Sequence, residues 1–129
     1  MSYDTFDVRT ARAKQGEGWV YVDVRSPHEF AQGHPEGAVN VPILFMEPTG
    51  NRPNDAFLDV MRRRFPADTR LLMGCRSGAR SARACELLEA SGYGALANVA
   101  GGMLDWSANT LPESTTGTPW SEICRSSPG

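Results

Sequence analysis

The sequence predicts an α/β domain built on a central, mainly parallel sheet with helices on both faces. Three observations predict it. Short β-branched or apolar runs recur at residues 19–24, 71–73 and 95–99. Between them lie segments whose apolar residues repeat at helical spacing. Turn and cap residues separate the two kinds, and strands alternating with helices are the pattern of a parallel sheet.

Taken in order, residues 5–15 have weak helical character and end at Gly16 and Gly18. Residues 19–24, Trp-Val-Tyr-Val-Asp-Val, read as a buried strand. Ser26-Pro27-His28-Glu29 follows, with Ser at the N-cap, Pro at the first helical position and Glu three after the Ser. That is a capping-box signature, predicting a short helix through Gln32 that Gly33 stops. Residues 37–42 supply a second short strand ended by Pro42. The turn-rich residues 47–54 predict an exposed loop. Asn54 is expected to cap a helix carrying Phe57, Leu58, Met61 and Phe65, which Pro66 ends.

Leu71-Leu72-Met73 is a third strand, with Cys75 just beyond it. Residues 81–91 form a helix with Ala82, Cys85 and Leu88 on one side and Gly92 at its C′ position. Residues 95–99 make a fourth strand and residues 103–106 a last helical turn. Residues 1–110 are therefore expected to form the domain. Residues 111–129 are Ser/Thr/Pro/Gly-rich and read as a tail, disordered or laid along the surface, with Trp120 and Ile123 as docking points.

Composition narrows the function classes. The chain has 129 residues, enough for one domain that needs no staple. A net charge of −2 argues against a dedicated nucleic-acid binder. No apolar run approaches the roughly 18 residues of a membrane span, and the early acids and missing apolar core after Met1 lead us to expect no secretory signal. Three cysteines without a CxxC pair weigh against a disulfide framework or a four-ligand zinc site, so no metal and no cofactor are expected. A reducing, cytoplasmic setting fits. Arginine outnumbers lysine by 12 to one. Base composition accounts for that bias, but arginine's flat fork also suits anions.

The stretch from Gly74 to Ser81 carries the chemistry. It joins a buried strand to a helix N-terminus, which is where ligands bind in open parallel sheets. Residues 76–81 (Arg76, Ser77, Gly78, Ala79, Arg80, Ser81) lack proline, so each offers a backbone N–H to an anion. Gly78 permits the positive φ of a tight curl. Those amides, with Arg76 and Arg80, should favour a Cys75 thiolate. The expectation is a nucleophilic Cys75 facing an anionic substrate, against a plain reading of a core cysteine followed by two solvated arginines.

Four blocks resemble the single-domain rhodaneses, the thiosulfate sulfurtransferase family. Cys75-Arg76-Ser77-Gly78-Ala79-Arg80-Ser81 resembles the family's C-x-x-G-x-R-S loop. The run from Asp23 to Phe30 resembles D-V-R-x-x-x-E-[FY]. Gly33-His34 with residues 37–42 resembles G-H-I-x-G-A-x-N-I-P, departing at Pro35-Glu36. The run from Asn98 to Trp106 resembles N-V-x-G-G-x-x-x-W. They stand in the family's order across residues 19–106.

The resemblance implies a rhodanese-like fold and a double displacement. Cys75 would take the outer sulfur of a small donor such as thiosulfate, release sulfite, and pass the sulfur from its persulfide to cyanide, a thiol or a partner protein. Arg76 and Arg80 would bind the anion, with residues 76–81 as backbone donors. A non-catalytic rhodanese binding module is the second reading. A cysteine phosphatase or arsenate reductase is the third, disfavoured because those loops place arginine six after the cysteine and here that residue is Ser81.

Elsewhere, a cysteine protease would need a histidine beside Cys75, and His28 and His34 are the two candidates; His34 reads as structural. Asp23 and Arg25 read as framework, with Arg25 expected to pair with Glu29. Phe45 and Met46 are offered as an apolar landing surface for a sulfur acceptor, with plain packing as the competing account. Cys85 reads as core, Cys124 as an idle surface thiol, and Arg62-Arg63-Arg64 as a solvated helix face. Gly101-Gly102 is not a phosphate fingerprint.

Overall fold

The computed structural model describes residues 3–125. Its centre is a five-stranded sheet in the order β1 (Asp4–Phe6), β8 (Leu96–Val99), β7 (Leu71–Gly74), β2 (Val20–Asp23), β4 (Val39–Asn40). Every pairing in it is parallel. Successive side chains of a strand point to opposite faces, and the two cores follow from that. Leu71 and Met73 of β7 face one core with Val22, Val60, Met61, Cys85 and Leu88. Leu72 faces the other, with Tyr21, Val8, Ala97, Val99 and Trp106. Helices α3 (Phe57–Arg64) and α4 (Ala79–Ala90) cover the first face, and α1 (Val8–Gly16) and α5 (Gly102–Ala108) the second.

The capping box is present in full. Glu29 N–H donates to the Ser26 hydroxyl, and Ser26 N–H donates to the Glu29 carboxylate, opening α2 (Pro27–Gln32). Strand β3 (His34–Pro35) follows directly.

Three expectations need correction. Strand β1 overlaps the start of the stretch read as weak helix; three residues with at most half-burial carry too little pattern to reveal an edge strand. Residues 47–54 are not a loop. They contribute to a hairpin of β5 (Leu44–Glu47) and β6 (Gly50–Pro53), with Gly50 at φ +128° in the position a tight turn reserves for glycine. Asn54 does not cap α3, whose N-cap is Ala56. Its side chain donates to Pro42 O and accepts from Ala56 N–H, tying the hairpin's exit back to its entrance.

Residues 111–125 fold back onto the rest. Strand β9 (Glu113–Ser114) pairs with β3, Thr118 bridges Val39, and α6 (Trp120–Ile123) sends Ile123 into the core. Buried His34 anchors this segment. Its ring stacks on Phe30, Nδ1 donates to Phe30 O and Nε2 accepts from Gly117 N–H.

Candidate active site

The end of β7 leaves Cys75 between the ends of β8 and β2, at the carboxyl edge of the sheet. The chain then curls through Gly78, at φ +118°, into α4. The curl turns N–H groups inward: Gly78 N lies 3.0 Å from Cys75 Sγ, and Ser81 N and Oγ each lie 3.4 Å from it. Burial pushes the Cys75 thiol up. The Ser81 hydroxyl and the amides of Ser81, Gly78 and Ser77 overcome that effect and hold it below the ordinary thiol value. Hydrogen bonds lead in making this sulfur acidic, and the Arg80 charge couples to it as well. Cys75 is only 2% exposed, so a reagent must reach its sulfur end-on.

What frees those amides is the other strand of the loop's hydrogen bonding. The carbonyls of Cys75 and Arg76 accept from Met103 N–H and Leu104 N–H at the start of α5. A Cβ on Gly102 would run into both carbonyls. Gly101-Gly102, read in the sequence as part of the N-V-x-G-G-x-x-x-W resemblance and not as a phosphate fingerprint, therefore lets one helix N-terminus hold the loop's oxygens while another turns its N–H groups on the sulfur. No chemical residue type marks that role in the sequence.

The arginines divide. Arg80 faces Glu29 with both branches of its fork, at 2.7 and 3.0 Å. The pair is largely shielded, and Glu29 also accepts from Ser26 N and Oγ. Burial acts to raise the Glu29 carboxyl, but the Arg80 and Ser26 bonds bring it down from 4.5 to about 2. Arg25, expected to pair with Glu29, instead grips Asp23 through Nε and Nη2, and Nη2 also donates to Gly33 O. Arg25 lies two positions after Asp23, so the fork closes locally before it can reach α2. Arg76 is exposed and enters no ion pair among the described residues. It borders a cavity of about 300 Å³ together with Glu29, Met103, Leu104 and Glu113.

His28 is exposed against Gln32, and His34 is committed to Phe30 and Gly117. Among the described residues neither is a hydrogen-bond partner of Cys75. Phe45 packs against Trp120 and under the Arg52 guanidinium, whereas Met46 is 55% exposed with its sulfur 4.0 Å from Arg80 Nη1. Cys85 is buried and its thiol is pushed up to about 12, first by burial and then by Glu89 and Glu86.

The family model described as "Rhodanese-like domain" matches residues 7–109. The chain belongs to this family. Among relatives of this rhodanese-like chain, Thiosulfate sulfurtransferase 18 of Arabidopsis thaliana is 41% identical over 112 residues, covering 84% of this chain and 82% of that protein. Senescence-associated protein DIN1 of Raphanus sativus is 37% identical over 105 residues, covering 81% of this chain. The chain spans 57% of that protein's length and 58% of another curated relative's. Names among the relatives place some in chloroplasts or mitochondria. The solved structure of Rv0390 from M. tuberculosis superposes with a TM-score of 0.68 at 28% identity, over 88% of this chain and 99% of that one. Among the described residues, no helix is long and apolar enough to cross a membrane.

Proposed function

We propose that this rhodanese-like domain is a sulfurtransferase whose Cys75 carries sulfane sulfur from thiosulfate, or a similar small anion, to a nucleophilic acceptor. The observation that carries the reading is the set of three donors converging on Cys75 Sγ. A neutral thiol gains little from three donors, whereas an anion at that point gains from each. The thiolate attacks the outer sulfur of thiosulfate. The new S–S bond forms as the old one breaks, and sulfite leaves with the electron pair. The persulfide's outer sulfur then bears the negative charge within reach of the loop amides. Attack by cyanide or a thiol on that outer sulfur returns the Cys75 thiolate.

In this reading residues 76–81 supply amide donors, and Arg76 supplies the uncommitted positive charge. Arg80 adds charge moderated by Glu29. A donor anion enters past Arg76. The thiol or protein acceptor approaches past exposed Met46, whose sulfur lies 4.0 Å from Arg80 Nη1; Arg80 also lines a cavity of about 370 Å³ with Leu44, Phe57 and Leu58. A reducing, cytoplasmic compartment suits this cycle because Cys75 must stay free of disulfides.

The test is cyanide-dependent thiocyanate formation from thiosulfate by the native protein and Cys75→Ser, with a phosphate ester offered in parallel. Turnover lost in the variant supports sulfur transfer. Ester cleavage would replace this reading with a phosphatase. No turnover with Cys75 reduced would leave a non-catalytic binding module.

A further inference from the structure

Ser81 has one hydroxyl proton, and three acceptors compete for it. Cys75 Sγ lies 3.4 Å from Ser81 Oγ, Gly78 O 3.2 Å and Asn98 Oδ1 2.6 Å. The orientation of the Asn98 amide is set by its second contact. Its nitrogen faces Gly78 O at 3.3 Å, and a backbone carbonyl only accepts, so the amide NH₂ must point there and Oδ1 must point at Ser81. An Oδ1 so placed has no proton, and at 2.6 Å the Ser81 hydroxyl must donate to it. The hydroxyl that most lowers the Cys75 thiol is therefore committed elsewhere while Cys75 is neutral.

We propose that Asn98 is a positioning residue for Cys75: it holds the Ser81 hydroxyl proton away from the sulfur and yields it only when the sulfur becomes an anion. The exchange needs no more than rotation of one C–O bond, since both acceptors already lie around Ser81 Oγ. It deepens the reading of Cys75 as the reacting thiol, because the hydroxyl then tracks the charge through the cycle. On the free thiolate it donates to Sγ. In the persulfide the charge sits on the outer sulfur and the hydroxyl returns to Asn98. As an acceptor takes the outer sulfur, Sγ regains charge and the hydroxyl swings back to stabilise the departing thiolate. Asn98 stands at the end of β8 beside the loop, so the strand neighbouring the nucleophile sets how readily it ionises.

The test is the titration of Cys75 by ultraviolet thiolate absorbance, with the Cys75→Ser signal subtracted. Four proteins are compared: native, Ser81→Ala, Asn98→Ala and the double variant. Removing the competing acceptor frees the hydroxyl, so Asn98→Ala lowers the midpoint by about one pH unit, on the scale of a single hydrogen bond to a charged group. Ser81→Ala raises it. In the Ser81→Ala background, Asn98→Ala moves the midpoint by no more than about 0.3 pH unit, the usual error of additivity. A merely structural Asn98 would not lower the midpoint, nor would its effect depend on Ser81.

Asn98→Leu is similar in shape but has no acceptor. It gives the same downward shift should alanine loosen β8. A midpoint that rises or stays put in both Asn98 variants, or equal shifts with and without the Ser81 hydroxyl, overturns the proposal. Thiocyanate formation on the same proteins separates the two ideas. The expected shifts without turnover would remove the sulfur-transfer reading alone, and turnover without the shifts would remove the role of Asn98 alone.

Discussion

Replacing Glu29 with glutamine keeps the shape of the side chain and an acceptor for Ser26, but discharges the partner of Arg80. In the folded chain the Glu29 carboxyl falls from 4.5 to about 2. At about 1.36 kcal/mol per pH unit, that difference caps the stabilisation from ionised Glu29 at about 3.4 kcal/mol. Solvent reaches the pair, with side chains 21% and 18% exposed, so screening brings the expected loss to about 1–2 kcal/mol. The sign with pH follows from a carboxyl held low in the fold. Its contribution is complete above 4.5, where the unfolded chain is also ionised, and is lost as pH falls towards 2.

Urea unfolding followed by tryptophan fluorescence should therefore show Glu29→Gln less stable at pH 7, with the gap to the native protein at less than half its size near pH 3. Other carboxyls titrate in both proteins and cancel in the difference. The same variant leaves Arg80 unneutralised beside the loop, so the Cys75 thiol should become more acidic while the fold becomes weaker. An equal gap at pH 7 and pH 3, or no gap at pH 7, would refute the ion pair as the source of the stabilisation.

Thiosulfate turnover per enzyme should climb with pH and level off below the ordinary thiol value of 9.0, since the amide and hydroxyl bonds hold Cys75 down; a pH–rate profile reads it. Gly102→Ala should cost about 2–4 kcal/mol in urea and reduce turnover at least tenfold, because its Cβ displaces the Cys75 and Arg76 carbonyls. His34→Ala should lose about 2–4 kcal/mol through the emptied ring site and the orphaned Gly117 N–H, while the Cys75 titration stays in place. Thiol labelling at neutral pH followed by peptide mapping should spare Cys85, whose thiol is pushed up to about 12.

Local patterns were legible in the sequence where cause and effect lie close along the chain. The capping box needs only Ser26 and Glu29, and both halves form. The strand, Cys75, Gly78 and helix succession needs only local propensity, and Gly78 takes the positive φ that a curl demands. Contacts across long separations were not legible. Glu29 meets Arg80 across 51 positions, so the sequence suggested the nearer Arg25 as partner and left Arg80 free to bind an anion. Asn98 and Gly102 stand in the block that resembles N-V-x-G-G-x-x-x-W, but residue type does not announce that the Asn98 amide meets Ser81 and Gly78 or that Gly102 packs on the Cys75 and Arg76 carbonyls. The hairpin was hidden for a different reason: Pro48, Thr49 and Gly50 are turn formers, and the strands they join are exposed, so solvent erases the apolar alternation that reveals a buried strand.

The cover that residues 113–123 place over β4 has a practical consequence for anyone trimming the gene. The family match stops at residue 109, which invites a cut there. Such a fragment would keep every residue around Cys75. It would also lose Thr118, whose carbonyl takes the Asn40 N–H, and Ile123, which fills the core beneath that edge. A bare two-residue edge beside an open apolar hole is a template for another copy's strand. The trimmed product should therefore precipitate on expression, and a working boundary lies beyond Ile123.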